Sequence, residues 1–198
     1  VGSEMCIRDR GFRRELVNDL LVFHIVFGNT VPDISLNAIA NLGYADLRYG
    51  VPVYPGDTIT SNTTVIGQRE SSNGDTGVTW VRTVGLNQRG EEVMSFIRWV
   101  LMNKRNPDTS LRVDDKPITP EFVDKDQLII ADQLDLSDFD PAITGGRWWW
   151  EDYDPGERID HIEGVAVEEA EHQMAARLNQ NSEYMARREN RRGWGAAH

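Results

Sequence analysis

Apolar residues along 16–27 recur at Leu16, Leu20, Phe23 and Phe27, the i, i+4, i+7, i+11 spacing that lines one face of a helix. Val17, Leu21 and His24 flank that stripe. Gly28-Asn29 predicts the helix end, and Pro32-Asp33 the start of an irregular connection. From Ala40 onward the pattern changes to β-type runs over 40–49, 57–68, 76–86 and 91–104. These are separated by the turn signals Pro55-Gly56-Asp57, Ser72-Asn73-Gly74-Asp75 and Asn87-Gln88-Arg89-Gly90. In the third run Val78, Trp80, Val84 and Leu86 fall on one face and Thr79 and Thr83 on the other, the period of a half-buried strand. The fourth, over 93–102, is apolar on both faces apart from Ser95 and Arg98, as in a strand covered on both sides. The order is a helix followed by an antiparallel meander, an α+β arrangement.

Residues 106–146 carry prolines at 107, 117, 120 and 141 and only a brief apolar island at 128–131, which predicts a linker draped on a surface. Arg147-Trp148-Trp149-Trp150-Glu151-Asp152-Tyr153 opens a second structured region, with a turn at Asp154-Pro155-Gly156-Glu157 and a short strand over 158–162. Over 167–178, Val167, Ala170, Met174 and Leu178 share a helical face, and Glu168, Glu169 and Glu171 stand where acidic groups suit a helix start. The tail from Ser182 is charged and shows no sustained apolar period. The opening VGSEMCIRDR shows neither period and looks like a translated sequencing adapter. Residues 1–10 are therefore expected to be an artefact, and the chain a fragment of a longer protein.

The chain has 198 residues, enough for one domain or two small ones, and 21 Lys+Arg against 32 Asp+Glu give a net charge of −11. That balance argues against nucleic acid or an anionic membrane surface as partner, since both need a positive footprint. Apolar runs such as 20–27 fall far short of the ~20 residues of a membrane span. The single cysteine, Cys6, forms no intrachain disulfide and no cysteine metal cage, which fits a reducing, cytoplasmic setting.

The chemistry-bearing residues are sparse. His24 sits at the edge of the helical stripe, where a hydrogen-bonded core or interface histidine is expected. His161 alternates with the residues of a short strand, and His172 lies four after Glu168, the spacing of an exposed charge pair. His198 is terminal. Glu168-Glu169-Ala170-Glu171 reads as a solvated helix start rather than a metal site. Gly145-Gly146 lacks the strand and helix of a phosphate loop, and neither Ser35 nor Ser95 stands in a nucleophile elbow. From the residues alone, a fold type follows and no reaction.

The segment Val51-Pro52-Val53-Tyr54-Pro55-Gly56-Asp57-Thr58-Ile59 resembles the P-V-x-P-G-D-T-L signature of the MaoC-like hydratase/dehydratase family, which has the hot-dog fold, an antiparallel sheet wrapped on a helix. Residues 21–28, 31–46 and 93–105 are similar to the mesaconyl-CoA hydratase (β-methylmalyl-CoA dehydratase) branch. The likeness resumes at 151–153, 156–161 and 167–178, which look like the start of that branch's second hot-dog repeat. The resemblance implies a partial double hot-dog: 11–105 the C-terminal part of the first repeat, 106–146 a linker, 147–181 the start of the second repeat, and 182–198 an unmatched tail. It implies an enoyl-CoA hydratase/dehydratase, reversibly hydrating mesaconyl-CoA (2-methylfumaryl-CoA) to β-methylmalyl-CoA. The CoA thioester is then the substrate, with no cofactor and no metal, and the full-length enzyme is a homodimer.

In MaoC-like enzymes the chemical pair is an aspartate followed five residues later by a histidine. The first position falls on Asn181, which the resemblance makes the catalytic residue, and the second on Ala186, which departs from the pattern. That departure keeps open a non-catalytic hot-dog that binds CoA esters or pairs subunits. Thioester hydrolysis on Glu168, Glu169 or Glu171 is a further alternative. With elements missing from both repeats, the 167–178 helix is expected either to pack on the first repeat's sheet or to hang loosely beside a folded meander.

Overall fold

The computed structural model describes residues 12, 14–106, 108, 114–132, 134–135, 137, 147–162 and 164–179. Helix α1 (Asp19–Thr30) runs into a π-helical turn (Val31–Ser35). Strands β1 (Ala38–Tyr49), β2 (Thr60–Glu70), β3 (Thr76–Leu86) and β4 (Glu92–Asn103) follow, and helix α2 (Glu169–Leu178) comes last. The strands form one sheet in the order β1-β4-β3-β2, every pair antiparallel. None of the helices among the described residues is long and apolar enough to cross a membrane.

The first helix starts at Asp19 because the Asn18 side chain accepts the Leu20 N–H at 2.9 Å. Leu16 and Val17 precede it in extended chain, where the Val17 N–H donates to the Val53 carbonyl. The Gly28-Asn29 stop signal is overridden. Gly28 is buried within the helix, and the chain continues to Ser35, with Pro32 in the first turn of the π segment, where its missing N–H removes no required bond. The buried face is Val22, Val26, Gly28 and Thr30, while Leu20 is exposed and Phe23 and Phe27 are half-buried. The face is rotated from the one the spacing predicts because that phase was set partly by Leu16, which lies outside the helix, in a segment apolar almost all round.

The strands match the sequence reading closely, with β1 starting two residues earlier and β2 shifted toward its C-terminus. On β3, however, burial changes sides: Val78 and Trp80 are buried, then Val81, Thr83 and Gly85. Each side of the sheet is covered at a different end. A Cβ on Gly85 would stand 2.5 Å from Val26 of α1, so that side faces the helix. The opposite side carries a cross-strand row, Gly43, Trp99, Trp80 and Gly67, in register over β1, β4, β3 and β2. The glycines make room at both ends. A Cβ on Gly43 would lie 2.5 Å from the Trp99 ring, and one on Gly67 would lie 2.4 Å from Pro117.

Pro117 belongs to the segment expected as a linker, of which Asp115, Pro117 and Gln127 touch the sheet. Asp115 exchanges two backbone hydrogen bonds with Gln68 at the edge of β2. Gln127 accepts from Arg48 on β1, so 115–127 spans the sheet from one edge strand to the other.

The C-terminal residues differ from expectation. Residues 158–162 form no strand, and Arg158 bonds locally, to Asp160. Helix α2 forms where the acidic start predicts, but it buries no residue and leaves Val167, Met174 and Leu178 exposed. It does not pack on the first repeat's sheet, where α1 already lies against β2 and β4.

Gly85→Ala should destabilise the fold by about 2 kcal/mol, the scale of overpacking at a tight contact, through displacement of Val26; urea denaturation measures it. Gly74→Ala provides the contrast, since its cost comes from the positive φ of 77° with no neighbour near the added Cβ.

Candidate functional site

Asn181 and Ala186 lie outside the described residues, as do Cys6, His198 and Gly145-Gly146. The helix leading to Asn181 ends at Leu178, and its N-cap, Glu168, makes no side-chain capping bond. His161 and His172 are exposed on the C-terminal segment, and His24 is exposed on α1 edge-on to Phe23, with ring centroids 5.7 Å apart. The three histidines share no contact. Among the described residues no group of three His, Cys, Asp or Glu side chains could hold a metal ion.

The Pro55-Gly56-Asp57-Thr58 motif is a structural lock. Asp57 accepts the Tyr54 N–H on Oδ2 at 2.9 Å and the Gln88 amide on Oδ1 at 2.7 Å, while Gln88 Oε1 accepts the Thr58 N–H at 3.0 Å. These bonds tie the turn before β2 to the β3–β4 hairpin. Gly56 takes φ of 96°, which a side chain would oppose. The Gln88 and Tyr54 hydrogen bonds hold the Asp57 carboxyl below its ordinary range. The motif's aspartate thus positions chain and is already committed to partners.

Two polar centres flank the strand that reads as apolar on both faces. On the α1 side Arg98 is fully buried, donating to Thr30 Oγ1 at 2.8 Å and Ser35 Oγ at 3.0 Å, with its guanidinium 4.6 Å from the Phe27 ring centroid. Phe23, Phe27, Tyr44 and Phe96 form a cluster of ring contacts that continues from Phe27, with Phe23 and Phe27 stacked. Ser35 is therefore a partner of Arg98 rather than a nucleophile. On the other side Asp46, at φ 50°, receives Arg48 at 2.7 Å and Arg82 at 2.9 Å. Burial alone would raise its carboxyl, but the hydrogen bonds from the two arginines outweigh that and lower it. Ser95 is buried on this side with no partner for its hydroxyl. The sequence signalled Arg98 and Ser95 as exceptions in an apolar strand but nothing of Asp46, whose role depends on a β1 register shift between Ala45 and Arg48.

Cavities open on this scaffold. One of about 180 Å³ lies between Phe12, Val22, Tyr49 and Val53 and the linker's Ile129 and Ala131. Burial, then the nearby Asp19 charge, pushes the Tyr49 phenol upward. Another, about 380 Å³, lies at the far end of β3 and β4.

The family model described as mesaconyl-CoA hydratase matches residues 4–144. The chain belongs to the mesaconyl-CoA hydratase family. It is 51% identical over 180 residues to the mesaconyl-CoA hydratase of Cereibacter sphaeroides, covering 91% of this chain and 52% of that protein. It is 48% identical over 172 residues to the β-methylmalyl-CoA dehydratase of Chloroflexus aurantiacus, covering 87% of this chain and 49% of the other. The chain thus spans about half the length of the curated relatives it matches. A crystal structure of a MaoC domain protein from Chloroflexus aurantiacus superposes with a TM-score of 0.80 at 46% identity, over 94% of this chain and 54% of that one. A Mycobacterium tuberculosis protein with a double hot-dog fold superposes at TM-score 0.57 and 24% identity, over 89% of this chain and 53% of that one. The hot-dog fold expected from the Pro-Gly-Asp segment is thereby established, with α1 as the helix on which β1–β4 wrap.

In this family member, Arg98→Lys should cost about 2 kcal/mol in urea denaturation, because an ammonium cannot fork to Thr30 and Ser35 and lie over Phe27 together. Asp46→Asn, which keeps a residue tolerant of positive φ, should cost a similar ~2 kcal/mol at neutral pH. The folded Asp46 carboxyl lies below its ordinary 3.8, so its contribution is complete above that value and is lost as pH falls through the lower folded one. The difference between wild type and Asp46→Asn in a thermal melt should accordingly close as the pH drops below 3.8.

Proposed function

We propose that the whole protein to which this chain belongs hydrates mesaconyl-CoA to β-methylmalyl-CoA, and that this chain supplies the first hot-dog repeat, the linker and the start of the second. The observation that carries the reading is half identity, over most of this chain, to two relatives named for the hydration and the dehydration. Water adds across the double bond conjugated to the thioester: its oxygen bonds the carbon remote from the thioester, and a proton reaches the nearer carbon through the enolate. The CoA thioester is substrate, and the chemistry calls for no cofactor or metal.

Asn181 is assigned the positioning of that water, just beyond α2. The two helices differ in a way that supports placing chemistry on the second. The N-terminus of α1 is closed by the Asn18 side chain, whereas Glu168 at that of α2 makes no side-chain capping bond, and helix N-termini are of the kind that stabilise an enolate oxygen. Pairing of two copies of the full-length enzyme is supported by β1, a twelve-residue strand at the sheet edge among the described residues, which exposes Ile39 and Leu42, with Leu36 exposed just before it. One cysteine and a net charge of −11 fit a cytoplasmic place. Ala186, standing where the family pattern has histidine, favours a second reading, a hot-dog that binds CoA esters or pairs subunits without catalysis.

The test is hydration of mesaconyl-CoA by the full-length protein, followed by loss of the enoyl-thioester absorbance. Asn181→Ala should lower kcat by roughly a hundredfold, the lower end for loss of a positioned acid–base group. CoA-ester binding with no turnover in the unmodified protein would leave the non-catalytic reading standing.

A further inference from the structure

Both hairpin turns of the sheet are organised by an asparagine whose side chain bonds the main chain just after it, and they differ in how that amide is held. Between β3 and β4, Asn87 Oδ1 accepts the Arg89 N–H at 2.9 Å and the Glu91 N–H at 3.1 Å, while its Nδ2 donates to the Glu91 carboxylate at 2.7 Å. Asn87 is buried, and Gln88 follows it. Between β2 and β3, Asn73 Oδ1 accepts the Asp75 N–H at 3.2 Å, the Thr76 N–H at 3.3 Å and the Thr76 hydroxyl at 3.1 Å. Asn73 is exposed, and Gly74 follows it, the one Asn-Gly pair in the sequence.

An asparagine followed by glycine carries its own nucleophile. The Gly74 nitrogen bonds the Asn73 side-chain carbonyl carbon and gives up its proton, and Nδ2 departs as ammonia, leaving a cyclic imide. Water opens either imide carbonyl, so asparagine and water become ammonia and an aspartate or an isoaspartate. Glycine brings no Cβ to hinder the approach, and a Cβ built there would meet nothing within 4 Å. The folded turn nevertheless restrains both reacting groups. The Gly74 N–H donates to the Ser71 carbonyl at 3.0 Å, and the Asn73 carbonyl oxygen is held by its three donors. Ring closure therefore waits for this end of the hairpin to open, which surface turns do at less cost than global unfolding.

We propose that Asn73 is a site of spontaneous deamidation whose rate is gated by the β2–β3 turn. The gate does not close again after isoaspartate forms, because the main chain then gains a carbon and runs through the former side chain, so Oδ1 no longer accepts from Asp75 and Thr76. The loosening reaches β4, since the Asp75 carbonyl accepts the Lys104 N–H at 2.9 Å and Lys104 pairs with Glu70. This inference is independent of the hydratase reading.

The test is peptide mass mapping of the chain aged in mildly alkaline buffer, folded and in urea, with isoaspartate detected by enzymatic methylation of its carboxyl. Folded chain is expected to convert at Asn73 and not at Asn87, and roughly tenfold or more slowly than in urea. Thr76→Val removes the hydroxyl donor with a residue that strands favour. It should speed the folded reaction about threefold to tenfold, the worth of one hydrogen bond, and leave the rate in urea unchanged. Absence of conversion at Asn73 in the folded chain, a folded rate equal to that in urea, or conversion at Asn87 as fast as at Asn73 overturns the proposal. So does an unchanged rate in a Thr76→Val protein that melts normally. Should Thr76→Val fail to fold, hydrogen exchange of the unmodified chain decides: the Gly74 and Thr76 amides are expected to exchange faster than those of Trp80 and Val81, and equal protection overturns the gate.

Discussion

Everything around α1 depends on how the buried guanidinium of Arg98 is satisfied. A cation taken fully out of water costs several kcal/mol unless it is compensated, and here Thr30 and Ser35 accept from its two terminal nitrogens at the end of α1 and in the π-helical turn, with Phe27 over the group. This requirement explains why the helix does not stop at Gly28-Asn29. A chain that left helical geometry there would not bring the Thr30 and Ser35 hydroxyls, five residues apart, to one guanidinium. The wider π turn places them so, and Thr30 is further held by donating to the Phe27 carbonyl at 2.7 Å. The polar exception in β4 and the irregular exit of α1 are therefore one feature seen from two sides.

The sheet is used on both faces, and the glycines show where each covering layer presses closest. Gly85 admits Val26 on the helix side, while Gly43 and Gly67 bracket the two tryptophans on the other and admit the linker's Pro117. A β-strand alternates its side chains strictly, so a strand covered on one face at one end and on the other face at the other must switch its buried parity, as β3 does near Trp80 and Val81. The linker is in this sense part of the fold. It pairs with β2 at Asp115 and reaches β1 at Gln127, close to the Asp46, Arg48 and Arg82 cluster on the same face.

The sequence made the meander legible because turn chemistry and β-type runs agree at every boundary, and β3 ends where the pattern predicts. Helix phase was harder to read, since α1 is apolar almost all round and offers little contrast between faces. The buried parity of β3 was not legible, because a single period assumes one covering layer. The strand expected over 158–162 rested on local alternation alone; strands need a partner, and among the described residues none pairs there. Of the candidate chemistry, His24, expected as a hydrogen-bonded core or interface group, is exposed on α1 beside Phe23. The Pro-Gly-Asp motif identified the family, yet its aspartate serves a turn, which shows that a motif can be diagnostic of kinship without touching the reaction.

The chemistry left to α1 and the sheet follows from these constraints. Their polar groups are spent on structure: Asp57 on its turn, Arg98 on the end of α1, Asp46 on two arginines, and Asn18 on the helix start. A site whose donors are already satisfied has little left to stabilise developing charge, because catalysis depends on groups aimed at the transition state rather than at one another.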